Sequence, residues 1–275
     1  MITASIVTYQ HHKRDIRKIA ECILSSSVEI LYIVDNSSND GLRELAKISE
    51  RITYIHSANL GYGAGHNIAI QEAMDIGATY HIVVNPDIYF NEGVIEALAT
   101  YMDAHLQVGL VMPKILYPEG EIQYLCKLLP SPSDLLLRRF FPCERYLKKK
   151  NWNYELRFTD YNQEMEVPSL SGCFMFMRIA VLEKVGGFDE RYFMYAEDLD
   201  LCRRIGKVSR TMYYPNVSVC HAYAKGSYKN WKLLKYHISS IIKYFNKWGW
   251  LWDTDRKKTN KMILNNLKKC KDSSY

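Results

Sequence analysis

Polar residues stand where apolar runs end. Ile82-Val83-Val84 is an uninterrupted β-branched run that stops on Asn85-Pro86-Asp87. Such a run suits a strand covered on both faces. Pro86 removes a ladder donor, so the strand must end there. Asp87 then falls at the carboxyl edge of the sheet, where open α/β folds gather ligand groups, although Asn, Pro and Asp are also ordinary turn residues. Thr8-Tyr9 follows the first such run, Asp35-Asn36 the second and His221 the last, while the third leads into ANLGYGAGHN at residues 58–67. Each has a plain structural alternative. Asp35-Asn36-Ser37-Ser38 could cap a helix, His221 could be structural, and Gly61, Gly63 and Gly65 lack the GxGxxG spacing of a phosphate cradle. Farther on, FMYAEDLDLCRR (193–204) sets Glu197, Asp198 and Asp200 ahead of Arg203 and Arg204. Acidic groups favour a helix start, and Asp200 with Arg204 makes an i,i+4 pair. Hydroxyl, amide, carboxylate and imidazole groups along one sheet edge can bind a polar ligand, and their shared placement is hard to obtain by chance.

Those groups need a sheet to hold them. The patterns predict strands at 4–9, 30–36, 52–57 and 80–84, alternating with helices at 14–25, 40–49, 66–76 and from Asn91 onward. This alternation implies right-handed crossovers and a largely parallel sheet. After Pro113 the rhythm changes. Residues 118–166 hold four prolines, the basic run Lys148-Lys149-Lys150 and the amphipathic SDLLLRRFF (133–141), and read as an insertion rather than a separate domain. Strand candidates return at 167–178 and 211–221. Beyond residue 228, Trp231, Leu234, Ile238, Ile241, Ile242 and Phe245 recur at helical spacing. The expected organisation is a domain over 1–228, its insertion at about 118–166, and a basic, aromatic helical tail over 229–275.

Composition narrows the class. A chain of 275 residues with 48% hydrophobic content can bury a sizeable core. Seven scattered cysteines without a CxxC pair argue against a disulfide framework or a structural zinc site, and fit a reducing cytosol. The N-terminus is unlike a signal peptide, and no apolar run is long enough to span a bilayer. The net charge of +6 is uneven: residues 229–271 carry +10, with four of the five tryptophans (Trp231, Trp248, Trp250, Trp252), leaving −4 for the rest. A basic aromatic tail on an acidic body predicts an anionic membrane surface as partner. No recognition motif points to nucleic acid.

The segments SIVTY, VDNSSNDG, NLGYGAGHN, VNPD and the long SGCFMFMRIAVLEKVGGFDERYFMYAEDLDLCRR (171–204), with the closing His221, resemble the family 2 inverting glycosyltransferases of GT-A fold, in particular their bacterial rhamnosyltransferase-like branch. The resemblance implies an α/β, Rossmann-like fold with a mostly parallel central sheet flanked by helices. It implies that Thr8, Tyr9, Asp35 and Asn36 hold base and ribose, and that Asn59 through Asn67, with Gly61 and Gly65, line the nucleotide pocket. Asn85 and Asp87 take the family's DxD position, with Asn85 in place of the first acid. Asn can still accept a ribose hydrogen bond but brings no charge to the metal. The implied cofactor is Mg²⁺ or Mn²⁺ on Asp87, with His221 completing the protein ligands. Asp198 is the implied general base, and Glu197 and Arg204 orient acceptor, loop or base. The implied reaction moves a sugar, with dTDP-rhamnose the leading donor and a UDP-hexose behind it, to a glycan or lipid-linked acceptor in cell-surface polysaccharide synthesis. Such an enzyme is expected in the cytoplasm, peripheral on the cytoplasmic face of the inner membrane.

Two other classes could share such a sheet. A sugar nucleotidyltransferase would want a glycine-rich, basic loop straight after the first strand, and TYQHHKRD has no glycine. A non-catalytic nucleotide-sugar-binding scaffold would be favoured by loss of the base, but Asp198 and Asp87 are both present.

Overall fold

The structure, a computed structural model, describes residues 1–137, 144–222 and 231–272. Residues 138–141 of the amphipathic segment and residues 223–230, which include the start of the tail, lie outside the described residues. Strands β1 (Ile2–Thr8), β2 (Ile30–Asp35), β3 (Ile52–His56) and β4 (Tyr80–Val84) come first, and β4 is buried along its whole length. They alternate with α1 (Lys13–Leu24), a 3₁₀ turn at Arg43–Lys47, and α2 (Tyr62–Asp75). There follow β5 (Ile88–Tyr89), α3 (Val94–Ala104), β6 (Val108–Leu116), α4 (Glu144–Tyr154), β7 (Met165–Glu166), β8 (Phe174–Arg178), α5 (Ile179–Val185), α6 (Glu197–Ile205) and β9 (Arg210–His221). Helices α7 (Trp231–Trp248) and α8 (Thr254–Asp272) close the described chain.

Among the described residues one nine-stranded sheet runs β3-β2-β1-β4-β8-β6-β9-β5, with β7 on β9. The largely parallel expectation holds for the β3-β2-β1-β4 half. Beyond it β8 enters antiparallel to both β4 and β6, so the sheet is mixed. Register decides which strand ends meet. Thr8 pairs with Asp35, Val84 with Phe174, and Ile88 with His221, which gathers Thr8, Asp35, Asn85, Asp87 and His221 along the carboxyl ends of β1, β2, β4 and β9.

Several elements differ from the sequence expectation, and the helix expected at 40–49 is only the 3₁₀ turn Arg43–Lys47. Strand β6 was not predicted, because Gly109 and Pro113 interrupt its apolar run. It pairs in parallel with β9 and changes register between Pro113 and Lys114, an irregularity that accommodates a residue with no donor. The predicted strand 167–178 is regular only from Phe174. Helix α2 begins at Tyr62 rather than 66, so Gly63 and Gly65, expected in a loop, lie in its first turns, and Gly61 stands just before it.

The tail is packed onto the body. Ile241, Tyr244 and Phe245 of α7 form an apolar cluster with Tyr192 and Ala196, and Ile263 and Leu267 of α8 join the main core. Arg203 of α6 meets Asp253 at 2.7 and 2.8 Å, with both side chains 3% exposed. Lys247 pairs with Asp189 and Asp200, and the Trp248 indole N–H donates to Asp200. The guanidinium of Arg203 stacks 4.2 Å from the Trp248 ring. The C-terminal half of the α7 stripe is therefore buried against the body through Ile241 and Phe245, Ile242 stays 43% exposed, and Trp248 is a structural anchor. Trp231, Leu251 and Trp252 remain 80%, 71% and 89% exposed.

Candidate active site

A cleft of about 1260 Å³ opens along the strand ends, with Thr8, Tyr9, Asn36, Asn59, Gly61, Asn85, Asp87, Glu197, Asp198 and His221 in its lining. A side pocket of about 330 Å³ shares Gln10 and His11 with it and reaches Asp35 and Ser37. Asp35 is fully buried and accepts from Thr8 Oγ1 (3.0 Å), the Ser37 N–H (3.1 Å) and Tyr54 Oη (3.0 Å). Those bonds fix the loop after β2. Asn36 Oδ1 is buried and has no hydrogen-bond partner among the described residues, an acceptor left for a ligand at the cleft wall.

The glycine-rich segment splits into two roles. Asn59, Gly61 and Tyr62 line the cleft, whereas Gly65 and Asn67 do not. A Cβ on Gly65 would lie 2.9 Å from both methyls of Val7, so this glycine lets α2 lie against β1. Asn67 exchanges bonds with the backbone N–H and carbonyl of Phe188 (2.7 and 2.9 Å) and braces that turn. Gly61, at φ +112°, would place a Cβ 2.3 Å from the Phe193 carbonyl, which accepts the Tyr62 N–H at 2.9 Å. Only glycine fits there.

Asp87 and His221 meet at the base of the cleft, with Oδ1 3.3 Å from Nε2. Gln123 donates from Nε2 to the His221 carbonyl (2.8 Å) and turns its Oε1 to Nδ1 (3.0 Å), so Nδ1 carries a proton and Nε2 faces Asp87. Burial opposes charge on His221, but Asp87 and the Cys173 thiol outweigh it and hold the imidazole up to about 10. Burial likewise works against the Asp87 carboxylate, and His221 still draws it below its ordinary value. The pair fits one hard divalent ion: two ligands at about 2.1 Å in octahedral geometry stand roughly 3 Å apart. Among the described residues no cluster of three metal-ligating side chains occurs, so a diphosphate and water would supply the remaining ligands.

Asp198 sits in the first turn of α6, after Tyr195 and Ala196, both in the left-handed region (φ 70° and 64°). Its Oδ2 accepts the Gly172 N–H (3.0 Å) and its Oδ1 the Leu199 N–H (2.8 Å). Glu197 is 6% exposed, and burial, with Asp198 alongside, pushes its carboxyl well above the usual range. Its Oε2 lacks a hydrogen-bond partner among the described residues. Tyr62 ties the two halves together: its Oη is 3.0 Å from Asn85 Oδ1 and 2.8 Å from the Gly172 carbonyl. Arg204 lies outside the cleft lining. It pairs with Asp200 at 2.7 Å and donates to the carbonyls of Val185 and Gly187, holding the turn between α5 and the 187–196 loop.

Sequence reasoning placed Tyr62 in the pocket segment 59–67 without giving it a role, and missed Gln123, Cys173, Lys232, Tyr236 and His237, the last three of which bring α7 into the cleft lining. Tyr62 lay inside a quoted motif, and only distances reveal its two partners. The α7 residues carry no motif at all.

The sequence matches the glycosyltransferase-like family 2 over residues 2–238. It is 31% identical to the N-acetylglucosaminyl-diphospho-decaprenol L-rhamnosyltransferase of Mycobacterium tuberculosis, across 86% of this chain and 81% of that protein. It is 23% identical to the rhamnosyltransferase WbbL of Escherichia coli K12, across 87% and 90%. Among solved structures, GalNAc-T7 with UDP, GalNAc and Mn²⁺ superposes with a TM-score of 0.63 at 14% identity, over 81% of this chain and 44% of that one. The mannosyltransferase PcManGT of Pyrobaculum calidifontis, with GDP-Man and Mn²⁺, gives 0.57 at 17%, over 96% and 74%. These likenesses define the GT-A fold. The chain is a glycosyltransferase and belongs to glycosyltransferase family 2.

Proposed function

We propose that this enzyme transfers rhamnose, with inversion, from dTDP-rhamnose to a sugar carried on a lipid diphosphate. The observation that carries the reading is one cleft holding both Asp198, gripped by two backbone N–H groups, and the Asp87–His221 pair. Thr8, Asn36, Asn59 and Asn85 bind the nucleotide, and Asp35 orders the loop that receives its base. Asp87 and His221 would hold Mg²⁺ or Mn²⁺, which would supply positive charge to offset that on the leaving diphosphate. The acceptor oxygen forms the new bond at the anomeric carbon, its proton passes to Asp198, and the bond to the diphosphate breaks with the electron pair leaving on oxygen. Glu197, buried and with its carboxyl pushed well above the usual range, is suited to donating a hydrogen bond rather than to accepting the proton. Tyr62 and Arg204 are positioning residues.

The acceptor class draws support from the mycobacterial relative, whose name includes a diphospho-decaprenol sugar. Among the described residues no helix is long and apolar enough to cross a membrane. Contact with an anionic membrane face therefore falls to exposed Trp231, Leu251 and Trp252 and to the lysines of α8. A screen of purified protein against nucleotide sugars, with and without an N-acetylglucosaminyl diphosphate lipid, tests the reading through release of nucleoside diphosphate. Release from dTDP-rhamnose stimulated by that acceptor is expected. A different preferred donor would sink the rhamnose assignment, and no acceptor stimulation would sink the transfer.

A further inference from the structure

Helix α6 starts without a capping side chain. Ala196 stands at its N-cap in the left-handed region, and Tyr195 before it is left-handed too. Neither is glycine, and left-handed backbone is disfavoured for residues that carry a Cβ. Such conformations persist where surrounding contacts over-determine them, and they gather at functional sites. The contacts that hold this segment come from two sides. At the start of α2, the Tyr62 N–H donates to the Phe193 carbonyl at 2.9 Å. From α7, Ser240 Oγ donates to the Met194 carbonyl at 2.8 Å, and Lys243 Nζ donates to the Arg191 carbonyl at 2.5 Å. The ring of Tyr236 lies against Phe193, with centroids 4.3 Å apart, and His237 meets Tyr195 edge-on at 5.2 Å. Ser240 is 1% exposed, so its bond is shielded from water, whereas Lys243 is exposed. Tyr192 packs on Ile241, Tyr244 and Phe245, yet its buried hydroxyl has no hydrogen-bond partner among the described residues, which adds to the cost of this arrangement. The segment is therefore held in a conformation it would not choose alone.

We propose that Ser240 is a positioning residue for the transfer reaction: its bond to the Met194 carbonyl keeps Tyr195 and Ala196 left-handed and so aims Asp198. This rests on the reading of Asp198 as the base. Asp198 follows Ala196 by two residues, in the first turn of α6, where its carboxylate meets the Gly172 and Leu199 N–H groups. Without the serine bond, Tyr195 and Ala196 relax towards the regions that suit a residue with a Cβ. The first turn then shifts, and the carboxylate leaves its two donors. The helix that reads from sequence as part of a tail thus braces the base.

Ser240→Ala keeps a good helix former in α7 and removes only the hydroxyl. Release of nucleoside diphosphate from dTDP-rhamnose, with the N-acetylglucosaminyl diphosphate lipid present, is the assay. Its kcat should fall about fivefold to tenfold, the scale of one hydrogen bond, while KM for the donor holds. Adding Ala196→Gly should return part of the lost rate, because glycine sits left-handed without penalty. In an Asp198→Asn background, Ser240→Ala should cost under about twofold, since the group it aims is already gone. The full loss in that background, or no rescue by Ala196→Gly, makes the serine merely structural and overturns the proposal. Near-wild-type turnover by Asp198→Asn alone refutes the base assignment instead. Hydrogen exchange reads the brace without any substrate. Ser240→Ala should speed exchange about fivefold to tenfold in peptides spanning 193–200 and leave α8 unchanged. Acceleration spread evenly over α6, α7 and α8, or none at all, also overturns the proposal.

Discussion

Replacing Asp253 by Asn tests whether the C-terminal helices hold the catalytic helix in place. Asp253 caps α8 by accepting the Arg256 N–H at 2.9 Å, and Asn caps a helix about as well, so the substitution removes charge while leaving the cap. The charge lost faces Arg203, and both side chains are 3% exposed. Removing one partner of a buried pair costs about 3–5 kcal/mol. Two compensations lower that figure. Asp255, half exposed, also reaches Arg203 at 2.9 Å, and the Trp248 ring stacks on the guanidinium. A loss of about 2–4 kcal/mol is expected, which for a chain of this size lowers Tm by roughly 4–16 °C. Because Arg203 shares α6 with Asp198, kcat should also fall while nucleoside diphosphate affinity holds. Thermal unfolding with and without nucleotide, followed by steady-state kinetics, reads both. A Tm within 1 °C of wild type refutes the reasoning. Truncation near residue 228 should leave Arg203 buried without Asp253 and Asp255 and strip Lys247 and Trp248 from Asp200, and the product should not fold.

Asp198→Asn should cut turnover by about 10²- to 10⁴-fold with donor affinity unchanged, while Glu197→Gln, which keeps side-chain size and a hydrogen-bond donor at a buried site, should cost under about tenfold; the reverse ranking would exchange their roles. Asp87→Ala should abolish the Mn²⁺ dependence of nucleoside diphosphate binding, measured by calorimetry. In the wild type that dependence should strengthen from pH 6 to 8. His221 is held up to about 10 in the metal-free protein, so the ion must displace a proton, and its apparent affinity rises as protons become scarcer. A flat pH profile would remove His221 from the ligand set. Tyr62→Phe should lower kcat by roughly fivefold to tenfold, the scale of one positioning hydrogen bond, and should add little in an Asp198→Asn background; full additivity would make Tyr62 merely structural. Serine at Trp231, Leu251 and Trp252 together should reduce co-sedimentation with anionic vesicles at low salt. Unchanged sedimentation would exclude these residues as the membrane contact.

The first half of the sheet and the identity of its polar ends are legible in the chain. Ile82-Val83-Val84 is apolar on both faces and Pro86 cannot continue a ladder, so strand, stop and Asp87 were all legible locally. The block 171–204 carried the family because its motifs are contiguous. Local reasoning lost its grip where a residue's role depends on a distant partner. Gly65 and Asn67 belong to a nucleotide-pocket motif by order, yet Gly65 serves the contact with Val7 and Asn67 the turn at Phe188. Glu197 and Asp198 are neighbours of similar chemistry. Only the tertiary structure separates them: burial pushes the Glu197 carboxyl up, and the N–H groups of Gly172 and Leu199 grip Asp198. The tail shows the limit most clearly. Its +10 charge and helical spacing were visible in the chain. Where its apolar stripe goes was not, because an amphipathic helix buries the same face against a membrane or against its own domain. Tyr192, Ala196 and the buried Arg203 decided that, by offering α7 and α8 an apolar seat and a charge that needs Asp253.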